Sequence, residues 1–229
     1  MRNKMFLLML LFLLCAIFAM GQDIGKYQDI FKYPINTENL QEYYAVCREL
    51  AGHDYIKGVF EQTKTTKSPN RSMVSGGDFI IAAELGIVWI TKYPAASITA
   101  MGQDFIIQSA GRKKSVMDAK GNDTYIYMAE TMKSLFTGNS KNLEERFENY
   151  FFEQKIPSGK TWTLGLIPKE KALKEFAQQI ILEGSNGENG TVIDKMIFID
   201  KNGNSTAYAF SQQYYPADLD TNEKDYFSK

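Results

Sequence analysis

From Tyr55 to Ser211 the apolar residues of this chain recur mostly at a spacing of two, in short runs separated by Gly, Pro, Asn and Lys clusters. Alternation of this kind puts successive side chains on opposite faces of a strand. So many runs on short connections leave few folds open. The first run sets Ile56, Gly58 and Phe60 on one face and Lys57, Val59 and Glu61 on the other. Lys67-Ser68-Pro69-Asn70 is turn chemistry, followed by a strand predicted over 72–83 and a third over 87–91, closed by Pro94. Strands over 97–101 and 105–109 flank Gly102-Gln103, a two-residue hairpin signal, and 115–119 predicts another before Lys120-Gly121. Five more are predicted over 147–154, 161–167, 176–182, 192–200 and 205–211, with 169–174 open between helix and strand.

Two segments carry helical spacing instead. Asn36 or Thr37 can cap a helix with Leu40, Tyr43, Tyr44, Cys47 and Leu50 along one stripe, ended by Gly52. A second helix over 124–136 aligns Tyr125, Met128, Ala129, Met132, Leu135 and Phe136, and Gly138 stands where a C-terminal cap belongs. About ten strands and two helices on hairpin-length connections predict a mainly β, α+β fold built on one antiparallel sheet. A sheet with that many strands must curl or close. Phe79-Ile80-Ile81 and Met196-Ile197-Phe198 are apolar on both faces, so helices are expected to cover part of the concave side.

Arg2 and Lys4, the uncharged apolar run 5–20 and the small residues Ala19 and Gly21 read as a cleaved signal peptide over residues 1–21. Leu13-Leu14 precede Cys15 where a lipidation signal needs a small residue, so Cys15 is assigned to the leader. Residues 22–229 are then one domain, within the roughly 200 to 250 residues that single β domains reach. Cys47 is its lone cysteine, which excludes an internal disulfide. Lys and Arg number 26 and Asp and Glu 27, a balance that argues against a nucleic-acid partner.

The residues that carry chemistry are sparse. His53 is the only histidine, so any Ser/His or Cys/His nucleophilic site would have to use it, in the turn between the first helix and the first strand. One histidine and one cysteine do not make a zinc shell. Asp200-Lys201-Asn202-Gly203 brings its glycine too early for a calcium loop and reads as a hairpin turn. Gly159-Lys160-Thr161 lacks the first glycine of a phosphate loop, and Glu144, Glu145 and Glu148 near Arg146 read as a solvated face. The expectation is a protein that is not an enzyme and uses neither metal nor cofactor.

What remains distinctive is a set of large apolar side chains, each group on one side of its strand: Ile56 and Phe60, Phe79 and Ile81, Ile87 and Trp89, then Trp162, Leu164 and Leu166. The motifs that contain them are Gly58-x-Phe60-x-Gln62, Ser75-Gly76-Gly77-Asp78-Phe79, Val88-Trp89-x-Thr91-x-x-Pro94, Trp162-x-Leu164-x-Leu166-x-Pro168 and Phe198-x-Asp200-x-x-Gly203-x-x-Thr206. In order and spacing they resemble the outer-membrane lipoprotein carrier family, the LolA-like periplasmic chaperones, over residues 40–210.

The resemblance implies an incomplete, strongly curved β-barrel covered by two or three helices around a hydrophobic cavity for acyl chains. It places Phe60, Phe79, Ile81, Ile87, Trp89, Trp162, Leu164 and Leu166 on the cavity wall and Leu40, Tyr44, Met128 and Met132 in a lid. It also implies a monomeric carrier in the periplasm that takes acylated lipoproteins from an inner-membrane lipoprotein-releasing ABC transporter and passes them to an outer-membrane acceptor. Family members carry an arginine shortly after the Gly-Asp pair that holds the lid shut, and Ala83 occupies that spacing here. That departure motivates the alternative, a binding or sensor module of the same fold for a free lipid or glycolipid.

Overall fold

A computed structural model describes residues 24–187 and 190–228; the leader assigned to residues 1–21, with Cys15, lies outside them. Eleven antiparallel strands form one sheet among the described residues. They are β1 (Tyr55–Lys67), β2 (Asn70–Ala82), β3 (Gly86–Tyr93), β4 (Ser97–Met101), β5 (Phe105–Ala110), β6 (Lys113–Asp118), β7 (Phe147–Ile156), β8 (Gly159–Pro168), β9 (Gln179–Gly187), β10 (Gly190–Ile199) and β11 (Ser205–Tyr214). The spatial order is β6-β5-β4-β3-β2-β1-β11-β10-β9-β8-β7. Two meanders therefore meet at the β1–β11 seam, and β6 and β7 remain as edges, so the barrel is incomplete. Each strand covers its expected run except β2, β6 and β10, which stop one residue short, and β9, which starts at Gln179 rather than at Phe176.

Helices α1 (Leu40–Leu50), α2 (Asp123–Phe136), α3 (Ser140–Arg146) and α4 (Lys171–Phe176) all contribute to one apolar cluster on the concave face. A short α5 (Thr221–Asp225) and a 3₁₀ segment (Ile24–Lys32) belong to the terminal regions. α1 begins at Leu40, after a turn in which Asn36 Oδ1 accepts from Glu38 N at 2.8 Å. The expected cap therefore sits one turn early. α2 is capped by Asn122, whose side chain accepts from Tyr125 N. α3 and α4 carry no legible helical period, because seven and six residues span too few turns to show one. The Asn139 cap, which accepts from Asn142 N at 3.1 Å, was the available signal for α3.

The doubly apolar strands have a fuller explanation than helices on the concave side. Phe79, Ile81, Met196 and Phe198 face the helices. Their neighbours face the other way and are covered by the chain's own terminal regions. Ile80, Ala82 and Val88 pack with Leu219, Tyr226 and Phe227, while Ile181, Ile197 and Ile199 pack with Tyr27 and Ile30. An ion pair between Lys57 and Glu223 fastens α5 to β1. Both faces of the sheet are thus covered in part, which its alternation pattern alone did not show.

Candidate functional site

The Gly-x-Phe and Gly-Gly-Asp-Phe motifs are two halves of one device. In the β1–β2 register Gly58 lies opposite Phe79 and Phe60 lies opposite Gly77, so each ring is set against a residue with no side chain. A Cβ at Gly58 would come within 2.8 Å of the Phe79 ring and 2.9 Å of Ser211 O. Gly184 makes the same room on the other half of the sheet, where an added Cβ would stand 2.1 Å from the Trp162 ring. Glycine in a strand interior weakens the strand by itself, and here it lets bulky rings lie flat along the concave wall.

The result is an aromatic floor at the seam. Trp89 approaches Phe60 at 4.9 Å edge-on and Tyr208 at 4.9 Å nearly parallel, and Phe79 meets Phe210 at 5.2 Å edge-on. Phe136 of α2 stands on Phe210 at 5.5 Å, and Phe176 of α4 stands on Phe198 at 5.2 Å. Edge-on and offset pairs of this kind contribute about 0.5–1.5 kcal/mol each beyond burial. Tyr208 and Phe210 belong to this floor as fully as the expected residues do. Their alternation along β11 was legible, but the pairing of β11 with β1 was not.

The structure brings all eight expected wall residues into one cluster: Phe60, Phe79, Ile81, Ile87, Trp89, Trp162, Leu164 and Leu166, none more than 8% exposed. Of the expected lid, Met132 belongs to the same cluster, and Leu40 and Tyr44 pack against it. Met128 packs instead on a satellite of Met101, Ile106, Ala119 and Tyr125 under the first half of α2. The wall is therefore closed down on its helices. An opening of about 380 Å³ lies between α2 and the ends of β2 and β3, bordered by Ile81, Ile87, Met101, Ile126 and Met132. Glu84, Gln103, Glu130 and Lys133 line it as well, so the opening is polar on its outer side.

Ala83 lies on the rim of this opening, its N–H donating to Asp54 O at 2.9 Å. The neighbouring Glu84 pairs with Lys133 of α2 at 3.3 Å, and Glu84 O accepts from Gln103 Nε2 at 3.2 Å. This exposed ion pair joins the helix to the β2–β3 turn beside the position expected to carry an arginine. Exposed pairs hold with at most about 1 kcal/mol, so it is a weak clasp.

At its inner end the floor turns polar. Gln62 Nε2 donates to Tyr208 Oη at 2.6 Å and Gln62 Oε1 accepts from Ser75 Oγ at 3.1 Å. Burial pushes the Tyr208 phenol up to about 12, so it stays protonated through neutral pH. Replacing Tyr208 by Phe removes the partner of a half-buried amide donor, and the expected loss is about 1–3 kcal/mol of stability by urea titration. No loss in that titration would show that the rung contributes nothing.

The helical cover is less well satisfied. Thr131 Oγ1, Glu144 Oε1, Arg146 Nη1 and Asn149 Oδ1 are buried without a partner among the described residues, in α2, α3 and the start of β7. Trp162 Nε1 and Asn186 Oδ1 share that condition on the sheet. Arg146 is held by Glu130 and by the Tyr127 ring, 4.8 Å from its guanidinium carbon. Cys47 lies buried in α1, and desolvation pushes its thiol up to about 12, which leaves it unreactive. His53 stacks on Tyr215 at 3.5 Å.

No protein-family model matches the chain, and no curated protein matches it. Among solved structures it is similar to an uncharacterized conserved protein from Thermus thermophilus, at 8% identity and a TM-score of 0.47 over 81% of this chain and 93% of that one. It is similar to a LolA superfamily protein from Nitrosomonas europaea, at 10% identity and a TM-score of 0.42 over 82% and 97%. It is also similar to LprF from Mycobacterium bovis, at 9% identity and a TM-score of 0.43 over 82% and 98%. No residue role passes from those proteins to this chain.

Proposed function

We propose that this protein is a non-enzymatic carrier that shields the acyl chains of lipoproteins between its concave wall and its helical cover. The observation that carries the reading is the single apolar cluster shared by the wall and the cover, with an opening at Ile81, Ile87 and Met132. A long acyl chain exposed to water costs on the order of 10 kcal/mol, at roughly 0.8 kcal/mol per methylene, so crossing an aqueous compartment requires such a shield.

Release requires the opposite property, a site that closes when empty. The closed wall and the flexible thioethers of Met101 and Met132 at the opening fit that requirement. The unpartnered polar atoms of α2 and α3 also favour a cover that can lift, since each costs about 1–3 kcal/mol while buried. The compartment that fits the motif resemblance and the leader-like residues 1–21 is the periplasm, with export from an inner-membrane ABC transporter and delivery to an outer-membrane acceptor.

The test is titration with a peptide acylated at its N-terminus against the same peptide without the acyl chain. Saturable binding of the acylated form alone is expected, and equal binding of both, or of neither, would end the proposal. The free-lipid or glycolipid reading draws on Ala83, which leaves the weak Lys133–Glu84 pair at the rim. Mass spectrometry of what co-purifies separates the two cargoes.

A further inference from the structure

The edge strand β6 and the turn before it carry a second feature, outside the apolar wall. Arg112, Lys113 and Lys114 follow one another from the β5–β6 turn into β6, and all three are exposed. None of their side chains has an ion pair or hydrogen-bond partner among the described residues, and what sets them apart is that the three are consecutive on an edge strand. Val116 follows on the same side of the strand as Lys114 and is 47% exposed. Lys120 stands exposed beyond the far end of β6. Asp118 is the acid of this strip, and its carboxylate accepts from Lys120 N at 2.9 Å.

β6 has no strand on its outer side. On its other face Met117 packs against the satellite of Met101, Ile106, Ala119 and Tyr125, together with Ile126 and Met128. Met101 and Ile126 in turn border the opening. A basic and apolar strip thus runs along the one edge of the sheet that adjoins the mouth of the site.

We propose that β6 docks the protein edge-on to an anionic lipid bilayer. The docking stands independently of the acyl reading, and only its consequence, that the opening is set beside the membrane, rests on that reading. Each basic residue near an anionic surface is worth about 1 kcal/mol, about fivefold in affinity, so the three together give about a hundredfold, sensitive to salt. Val116 adds an apolar contact at headgroup depth. An edge strand can also pair with another strand, but lysines along it oppose that addition, and the same charges favour a bilayer.

The experiment compares the full chain with an Arg112→Gln, Lys113→Gln, Lys114→Gln variant, sedimented with vesicles of phosphatidylcholine alone or mixed with phosphatidylglycerol. Any partition through the apolar residues 1–21 is common to both chains. Expected are preferential binding to the anionic vesicles, a weakening of at least about tenfold at high salt, and a loss of about a hundredfold in the variant with an unchanged melting temperature. Val116→Ser should weaken binding about threefold. Equal binding of the two chains, equal binding to both vesicle types, or binding of polyglutamate without binding of anionic vesicles would each overturn the proposal, the last by assigning the strip to an acidic polypeptide.

Discussion

Trp89→Ala is expected to lower the stability of the protein by about 3–5 kcal/mol and to abolish acyl binding in the fraction that stays folded. The Trp89 ring is the one that contacts Phe60, Phe79, Tyr208 and Phe210 together, so its loss leaves four rings facing a void. The ring lies inside the cluster, with little room for the backbone to collapse around the gap. Denaturant titration reads the first effect and acylated-peptide titration the second. Trp89→Phe separates them, because it keeps an aromatic group on the floor and should cost less stability while still altering the wall. If the folded Trp89→Phe and Trp89→Ala variants both bound acylated peptide as the wild type does, the acyl site would have to lie elsewhere on the sheet.

The second large effect is expected at Gly138, where the two long cover helices touch backbone to backbone. Gly138 follows the C-cap Thr137 of α2 with a φ of +55°, and a Cβ there would stand 2.1 Å from Cys47 O of α1. Alanine in this left-handed region costs about 1 kcal/mol before any clash. The contact with a carbonyl cannot be relieved by a side-chain rotation, so Gly138→Ala should cost about 2–4 kcal/mol in total. Gly121→Ala is the control, since φ is +77° there but nothing lies within 4 Å, and only the backbone strain should appear. Hydrogen exchange should show the loss in α1 and α2 more than in β8 to β10. Equal losses at Gly138 and Gly121 would mean that the helices part freely at this point.

Much of the fold was legible because its signals are local. Alternation and turn residues located the strands, β4 to the residue, and Gly138 marked the end of α2 because a left-handed cap requires it. The reciprocal spacing of Gly58-x-Phe60 and Gly77-x-Phe79 is visible in the sequence, but its meaning depends on an antiparallel register. A slip of two residues would set Phe60 against Phe79, and a slip of one would turn the side chains of a strand to the other face. α4 was not legible, and Phe176, which alternates well enough to suggest a strand, ends a helix and meets Phe198 edge-on.

The candidate site divides along the same line. That Phe60, Phe79 and Trp89, and Trp162 with Leu164 and Leu166, each lie on the apolar side of their strand followed from alternation, and that these sides form one wall was implied by the motif resemblance alone. Which strands would be neighbours did not, and so Tyr208 and Phe210 entered only through the β1–β11 pairing. Met128 has the same helical spacing as Met132, yet it packs over Met101 and Ile106 rather than over the main cluster.

The sequence by itself determined the strands, the two longest helices and the absence of a disulfide from residues 22–229. Each of these depends on a residue and its near neighbours. Tertiary structure alone decided that the terminal regions cover part of the outer face of the sheet, that the wall is closed on its cover, and that the opening lies at Ile81, Ile87 and Met132. These depend on contacts between residues far apart in the chain, Ile80 with Leu219 or Ile197 with Tyr27, and no local spacing encodes which distant partner removes a given side chain from water.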